Sequence, residues 1–274
     1  MRDITLLTPA KINLSIDVTD RLENGYHTVE MIMQSVGLFD AVTVKKLSSG
    51  ITVRCAQPYV PNDQRNIVWK AANVFFSKLP ERGGAYITLE KKIPVSAGLA
   101  GGSADASAVL KALNMLYDNF FSISELTELT KGLGADVAFC LRGGTQLATG
   151  IGDELTVLPD FADVPVVLVK PPFPVSTPWV YKNLRLDRLG ERPDTPALIR
   201  AIREFDIDSL SKGMRNVLES VTVRKYPELR NIMDRFMEYG ALGSRMSGSG
   251  PTVFGLFGDQ KSANAAKERF LKDY

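Results

Sequence analysis

Pro94-Val95-Ser96-Ala97-Gly98-Leu99-Ala100-Gly101-Gly102-Ser103-Ala104 is the stretch on which the reading of this chain turns. Directly after it, Ala106, Val109, Leu110, Leu113, Leu116 and Tyr117 recur at helical spacing, so a glycine-rich loop runs straight into a helix N-terminus. A helix leaves its first four N–H groups without intrahelical partners, and its dipole puts partial positive charge at that end. Glycines let backbone approach an anion, so loop plus helix start can form a phosphate cradle, with the Ser103 hydroxyl available to phosphate or Mg²⁺. The competing reading is a flexible connector ahead of a core helix. The loop is neither a Walker A motif nor a dinucleotide fingerprint, because the chain has no Gly-Lys dipeptide and no Gly-x-Gly-x-x-Gly.

On the N-terminal side of the loop, residues 11–18 alternate: Ile12, Leu14, Ile16 and Val18 on one face, Lys11, Asn13, Ser15 and Asp17 on the other. That period predicts a half-buried strand with Lys11 and Asn13 on its polar face. Asn24-Gly25 marks a turn, and Thr28 to Val36 and Ala41 to Val44 look extended. Residues 66–79 carry an apolar helical stripe, and Ala85 to Leu89 reads as a short strand. On the C-terminal side, Ser122-x-x-Glu125 is a capping box opening a helix that ends at Gly132 or Gly134, just before Asp136. Past residue 158, prolines surround one buried-looking strand. Helical patterns follow near 196–204, 207–219 and 227–239, then a strand at Thr252 to Phe257 and a last helix. A boundary near 158–163 predicts domains over 1–158 and 159–274.

Composition narrows the class. Hydrophobic residues make up 45% and charged residues 23%, as in ordinary globular proteins, which excludes disorder. With 33 Lys+Arg against 31 Asp+Glu, the net charge of +2 gives no global field for nucleic acid or an anionic membrane. Cys55 and Cys140 cannot staple a chain of 274 residues and no Cys/His cluster has zinc spacing, so a reducing compartment is expected. The first residues, Met1 to Thr5, lack the apolar stretch of a signal peptide, and the apolar run Val164 to Val169 is too short to span a bilayer. A cytoplasmic protein is expected. No heptad run or large surface apolar stripe stands out, and no pattern encodes the oligomeric state; a monomer or weak homodimer is the expectation.

Taken singly, the polar candidates stay ambiguous. Lys11 is either solvated on an exposed face or catalytic. Asp136 is either a helix N-cap or a functional carboxylate. His27 is the one histidine, and it is a capping or surface group as readily as a functional one. A zinc peptidase would need more than this, and a serine triad lacks its Gly-x-Ser-x-Gly elbow. Ser247-Gly248-Ser249-Gly250-Pro251 is a second anion-facing loop or a tight hairpin.

Three separated stretches, Pro9-Ala10-Lys11-Ile12-Asn13-Leu14, the 94–104 loop and Ser247 to Pro251, together resemble the GHMP kinase superfamily. Within it, Asn24-Gly25-Tyr26-His27 and Leu133-Gly134-Ala135-Asp136-Val137 resemble the branch that phosphorylates a cytidine-diphosphate-linked methylerythritol. The resemblance spans nearly the whole chain in the expected order.

It implies a two-domain α+β GHMP kinase fold, with an N-terminal domain of the ribosomal protein S5 domain 2-like type and a C-terminal ferredoxin-like α/β sandwich. It implies ATP-dependent phosphorylation of the 2-hydroxyl of the methylerythritol unit, in the non-mevalonate route to isoprenoid precursors. In this family the aspartate matching Asp136 takes the acceptor's proton, and the lysine matching Lys11 lies beside it, keeping it ionised and offsetting charge on the transferred group. Loop 94–104 would hold the ATP phosphates, with Mg²⁺ arriving on the nucleotide. Asn66 and Lys91 match positions lining the adenine pocket. Asn13 would hold the methylerythritol end and His27 the cytosine edge. Tyr26 and Tyr181, the latter following Thr177-Pro178, would sandwich the base, with Thr177 beside it. The rivals are a GHMP kinase for a mevalonate- or homoserine-like alcohol and a non-catalytic nucleotide-binding member.

Overall fold

A computed structural model of the chain describes residues 3–80 and 83–273; Met1, Arg2 and Tyr274, at the ends of the expected domains, lie outside the described residues. In chain order the elements are β1 (Asp3–Arg21), β2 (His27–Leu47), β3 (Gly50–Cys55), α1 (Ile67–Ser77), β4 (Gly84–Glu90), α2 (Gly101–Leu116), α3 (Ile123–Leu129) and α4 (Val137–Arg142). There follow β5 (Thr145–Thr149), β6 (Glu154–Val157), β7 (Val166–Val169), α5 (Thr177–Lys182), α6 (Thr195–Arg203), α7 (Ile207–Gly213) and α8 (Glu219–Lys225). Last come α9 (Glu228–Glu238), β8 (Gly243–Met246), β9 (Val253–Leu256) and α10 (Gln260–Asp273).

The chain divides into two compact units that interleave in sequence. The first holds residues 1–10, 37–95 and 100–143; the second holds 11–36, 96–99 and 144–274. The expected edge at 158 coincides with neither unit. Residues 144–158 group with the C-terminal part because β5 pairs with β2 at Met31 to Gln34 and then with β6. Strands β1 and β2 each run on from one unit into the other.

In the first unit β3 lies parallel to β4, and β4 lies antiparallel to the end of β2, with Ala41 opposite Glu90 and Leu47 opposite Gly84. Their inward residues Val42, Val44, Val53 and Ile87 join Val68, Phe75, Val109, Leu113, Leu126 and Val137 from the four helices in one core. At about 25 cal/mol per Å² of apolar area buried, such side chains supply the main driving force for the unit. The capping box at Ser122 is formed in both directions, with Ser122 N donating to Glu125 Oε2 at 2.8 Å and Glu125 N to Ser122 Oγ at 3.3 Å.

In the second unit β9 is the middle strand of the antiparallel sheet β7-β9-β8, with α9 and α10 laid over it through Phe236, Phe257 and Phe270. This is the helix-over-sheet sandwich expected of the C-terminal part.

Three expectations for the elements need correcting. Residues 11–18 are not a half-buried strand: Ala10 to Val18 are all buried, the polar positions included. The helix expected over 207–219 stops at Gly213 as α7, and a separate helix, α8, starts only at Glu219. Residues 214–218 break it because Ile16 N donates to the Arg215 carbonyl and Val217 N to that of Ile16, bonds no helix interior could give. The extended stretches 28–36 and 41–44 are one strand, β2.

Candidate active site

Three helix starts meet around one side chain in the first unit. Asn66 caps α1, its Oδ1 accepting from Val68 N at 3.0 Å while its Nδ2 donates to the Pro61 carbonyl at 2.6 Å. Ile67 follows. A Cβ built on Gly102 would lie 3.6 Å from Ile67 Cγ2, and one built on Gly134 would lie 3.5 Å from Ile67 Cδ1 and 3.8 Å from Ser103 Oγ. The starts of α1 and α2 and the approach to α4 thus share Ile67, which brings Ser103 beside the segment that ends in Asp136.

No side chain caps α2. Its N-cap is Ala100, left-handed at φ 56°, and Ser96 (φ 53°) and Gly98 (φ 76°) before it are left-handed too. Strained backbone of this kind persists where surroundings fix it, as they do at ligand clamps. An uncapped start on a 16-residue helix leaves first-turn N–H groups with no side-chain acceptor, and Gly102 is exposed there; this suits a phosphate group. Ala97, Leu99 and Ala104 are buried, which anchors the loop and argues against a flexible connector. Asp136 stands at the N-cap position of α4, yet its carboxylate makes no capping bond. Capping therefore does not explain this aspartate.

Beneath the start of α2 lies a buried ionic group. The Lys91 ammonium is bonded to Asp40 Oδ2 and, at 2.5 Å, to Asp105 Oδ2, with all three side chains at most 5% exposed. Asp40 Oδ1 also accepts from the backbone N–H groups of Lys92 and Ile93. Burial alone would lower the Lys91 ammonium, but the two carboxylates outweigh it and hold the group raised. Burial pushes the Asp105 carboxyl up to about 7 against the pull of Lys91. Asn66 and Lys91, expected to line an adenine pocket, are thus both engaged within the first unit.

In the second unit Lys11 and Asn13 are buried on β1, 4% and 1% exposed, which removes the solvated-lysine reading. Lys11 Nζ donates to Asn13 Oδ1 at 2.7 Å, and Asn13 Nδ2 to Met31 Sδ at 3.4 Å. Lys11 N donates to the Leu99 carbonyl at 3.1 Å, tying β1 to the glycine-rich loop. The second glycine loop joins β8 to β9 as a hairpin and also packs on the first. Ser247 Oγ donates to the Gly98 carbonyl at 2.9 Å, and a Cβ on Gly248 would meet Gly98 O at 3.3 Å and Asn13 Oδ1 at 3.6 Å. Ser249 Oγ shares a 2.7 Å hydrogen bond with Thr177 Oγ1 at the start of α5. One turn along α5, Tyr181 puts its ring centroid 5.4 Å from that of His27, tilted by 40°. Burial, with the Arg21 charge adding to it, holds the His27 imidazole below its ordinary value, so near pH 7 it is neutral and offers one donor and one acceptor. Tyr26, the other expected sandwich residue, is 64% exposed.

Sequence reasoning missed Asp40, Asp105 and Asn216. Asn216 donates to the carbonyls of Met246 (2.7 Å) and Gly248 (2.8 Å) and so holds the second loop. Only Asp105 left a signal, an acid set between Ala104 and Ala106 in a small-residue run on a core helix.

The chain belongs to the GHMP kinase family. The family model described as GHMP kinases N terminal domain matches residues 66–144, and that described as GHMP kinases C terminal matches residues 198–274. The 4-diphosphocytidyl-2-C-methyl-D-erythritol kinase of Acetivibrio thermocellus is 50% identical over 268 residues, 98% of this chain and 95% of the relative. The protein of the same name from Clostridium botulinum is 45% identical over 265 residues, 97% of this chain and 95% of its own. Among solved structures, a 4-(cytidine 5'-diphospho)-2C-methyl-D-erythritol kinase matches with a TM-score of 0.83 and 34% identity over 98% of this chain and 96% of that one. A homoserine kinase from Cytophaga hutchinsonii, at 22% identity and a TM-score of 0.79 over 99% of this chain and 91% of that one, shares the fold.

Proposed function

We propose that this chain transfers the γ-phosphoryl group of ATP to the 2-hydroxyl of 4-(cytidine 5'-diphospho)-2-C-methyl-D-erythritol, in the non-mevalonate route to isoprenoid precursors. Relatives bearing that kinase's name align with nearly all of the chain. Within a family of kinases for several small alcohols, the observation that carries the choice of acceptor is the neutral His27 ring set against Tyr181, with Thr177 one turn away. A nucleobase needs a stacking face and an edge reader; a small acid needs neither.

Asp136 accepts the proton of the 2-hydroxyl as its oxygen bonds to the γ-phosphorus and the bond to the β,γ-bridging oxygen breaks, releasing ADP. The Lys11 ammonium offsets negative charge gathering on the transferred group, with Asn13 fixing its direction. Residues 94–104 hold the phosphates through backbone N–H groups and the start of α2. Among the described residues no group of three or more His, Cys, Asp or Glu side chains could hold a metal ion. Mg²⁺ would therefore be carried mainly by the phosphates, with Ser103 Oγ as the protein's ligand, and would supply neutralisation of their charge. For Asn66 and Lys91 the role proposed is support of the starts of α1 and α2.

Among the described residues no helix is long and apolar enough to cross a membrane. The proposal extends to a monomer or weak homodimer acting in the cytoplasm, with Cys55 and Cys140 as reduced thiols and no nucleic-acid partner. A coupled ADP-release assay with CDP-methylerythritol, mevalonate and homoserine tests the reading. Turnover with the first alone is expected; equal turnover with either of the others, unprotected by CDP, would overturn it.

A further inference from the structure

The buried group Asp40–Lys91–Asp105 is not used in the proton transfer proposed above, and attraction within a buried ionic group repays its desolvation only where the geometry is excellent. Its position is specific. Asp105 lies one turn into α2 below Gly101, and a Cβ built on Gly101 would come 3.2 Å from Lys91 Nζ and 2.9 Å from Ile93 Cγ2. The first residue of the phosphate helix therefore rests on the ammonium. Asp40 fixes the other end, since its Oδ1 also gathers the N–H groups of Lys92 and Ile93, the residues that lead into the loop. The group thus ties the second half of β2, the entry to the loop and the first turns of α2 to one cation. Among the described residues Asp105 Oδ1 has no hydrogen-bond partner, so Lys91 holds this side chain through its other oxygen.

We propose that Asp40, Lys91 and Asp105 are positioning residues that preset the first turn of α2 for the triphosphate, with no direct part in binding adenine. This rests on the reading of α2 as the ATP-phosphate site. A ligand without phosphates should be indifferent to the group, whereas one whose phosphates sit on that turn should not.

The test uses the full chain with Asp105→Asn, Asp105→Ala and Lys91→Met. It reads KM for MgATP, KM for CDP-methylerythritol and the inhibition constant of adenosine against ATP, with thermal midpoints alongside. KM for MgATP should rise from wild type through Asp105→Asn, which keeps an acceptor for the ammonium, to about tenfold in Asp105→Ala. The acceptor's KM and the adenosine constant should stay within about twofold. Lys91→Met leaves two carboxylates without their cation and risks misfolding, so the comparison of Asp105→Asn with Asp105→Ala decides the outcome. Two results would overturn the inference: a folded Asp105→Ala with wild-type KM for MgATP, or an adenosine constant rising in step with that KM, which would mark direct adenine contact. A wild-type protein that turns over no ATP would instead strike the reading beneath it.

Discussion

Replacing Gly98 by alanine tests how the two glycine loops fit. The residue has φ +76°, which costs an L side chain about 1–2 kcal/mol. The added Cβ would lie 2.2 Å from the Ser247 carbonyl oxygen, so the two backbones must part by roughly 1 Å to reach ordinary contact. Neither side yields easily. The Ser247 carbonyl accepts from Gly250 N at 2.9 Å, and Ser247 Oγ donates to the Gly98 carbonyl at 2.9 Å. Losing both bonds adds about 1 kcal/mol each, for about 3–4 kcal/mol in all, or a fall in the thermal midpoint on the order of 10 °C. In the folded fraction a loop displaced by that much should lower kcat/KM about a hundredfold. Gly190→Ala is the control, because its φ is +77° but nothing lies within 4 Å of the added Cβ; it should lose only about 1–2 kcal/mol and keep full activity. Circular dichroism melts and coupled ADP release on both variants suffice. Equal melting points, or a Gly98→Ala enzyme within twofold of wild type, would refute the packing argument.

Other perturbations separate the remaining roles. Asp136→Asn should keep both KM values near wild type and lower kcat by about 10²–10⁴-fold in steady-state assays, as expected for loss of a general base. Tyr181→Ala should raise KM for the cytidine substrate by the about 1–3 kcal/mol that a stacked base is worth, with KM for ATP unmoved. Because burial and Arg21 lower the His27 imidazole, the rise of that KM on acidification should have its midpoint below the ordinary histidine value; a midpoint at or above 6.5 would contradict the shift. The Asp105 carboxyl, raised from 3.8 to about 7, favours the fold while protonated, and that contribution is lost as pH rises through about 7. The melting point of the wild type relative to Asp105→Asn should therefore fall between about pH 4 and 7 and level off above that, and parallel melting curves would count against it.

Local chemistry is readable where it rests on short-range rules. The uncapped glycine loop before α2, the Ser122 capping box and the Asn24-Gly25 turn depend on a few adjacent residues, and the structure has all three. What failed depends on distant chain. Alternation at 11–18 shows that two faces differ in chemistry, but only tertiary partners decide whether the polar one is wet, and here Lys11 is buried with its ammonium on Asn13, which in turn reaches Met31. Met214 to Leu218 continue an apolar pattern, and only their bonds to Ile16 break the helix. Short α5 is missed although Ser176 before Thr177-Pro178 is a capping serine with proline in the first turn, a local signal strong enough to place it. The interleaving of the two units follows the course of β1 and β2, each of which has residues in both, and composition along the chain does not record it.

Where the phosphate goes can be followed with γ-³²P-ATP. With CDP-methylerythritol present, the radioactive phosphate should appear as a monoester on carbon 2 of the methylerythritol unit, its diphosphate bridge to cytidine intact by ³¹P NMR. Label released as inorganic phosphate, or carried by another hydroxyl or another alcohol, would contradict transfer to that hydroxyl.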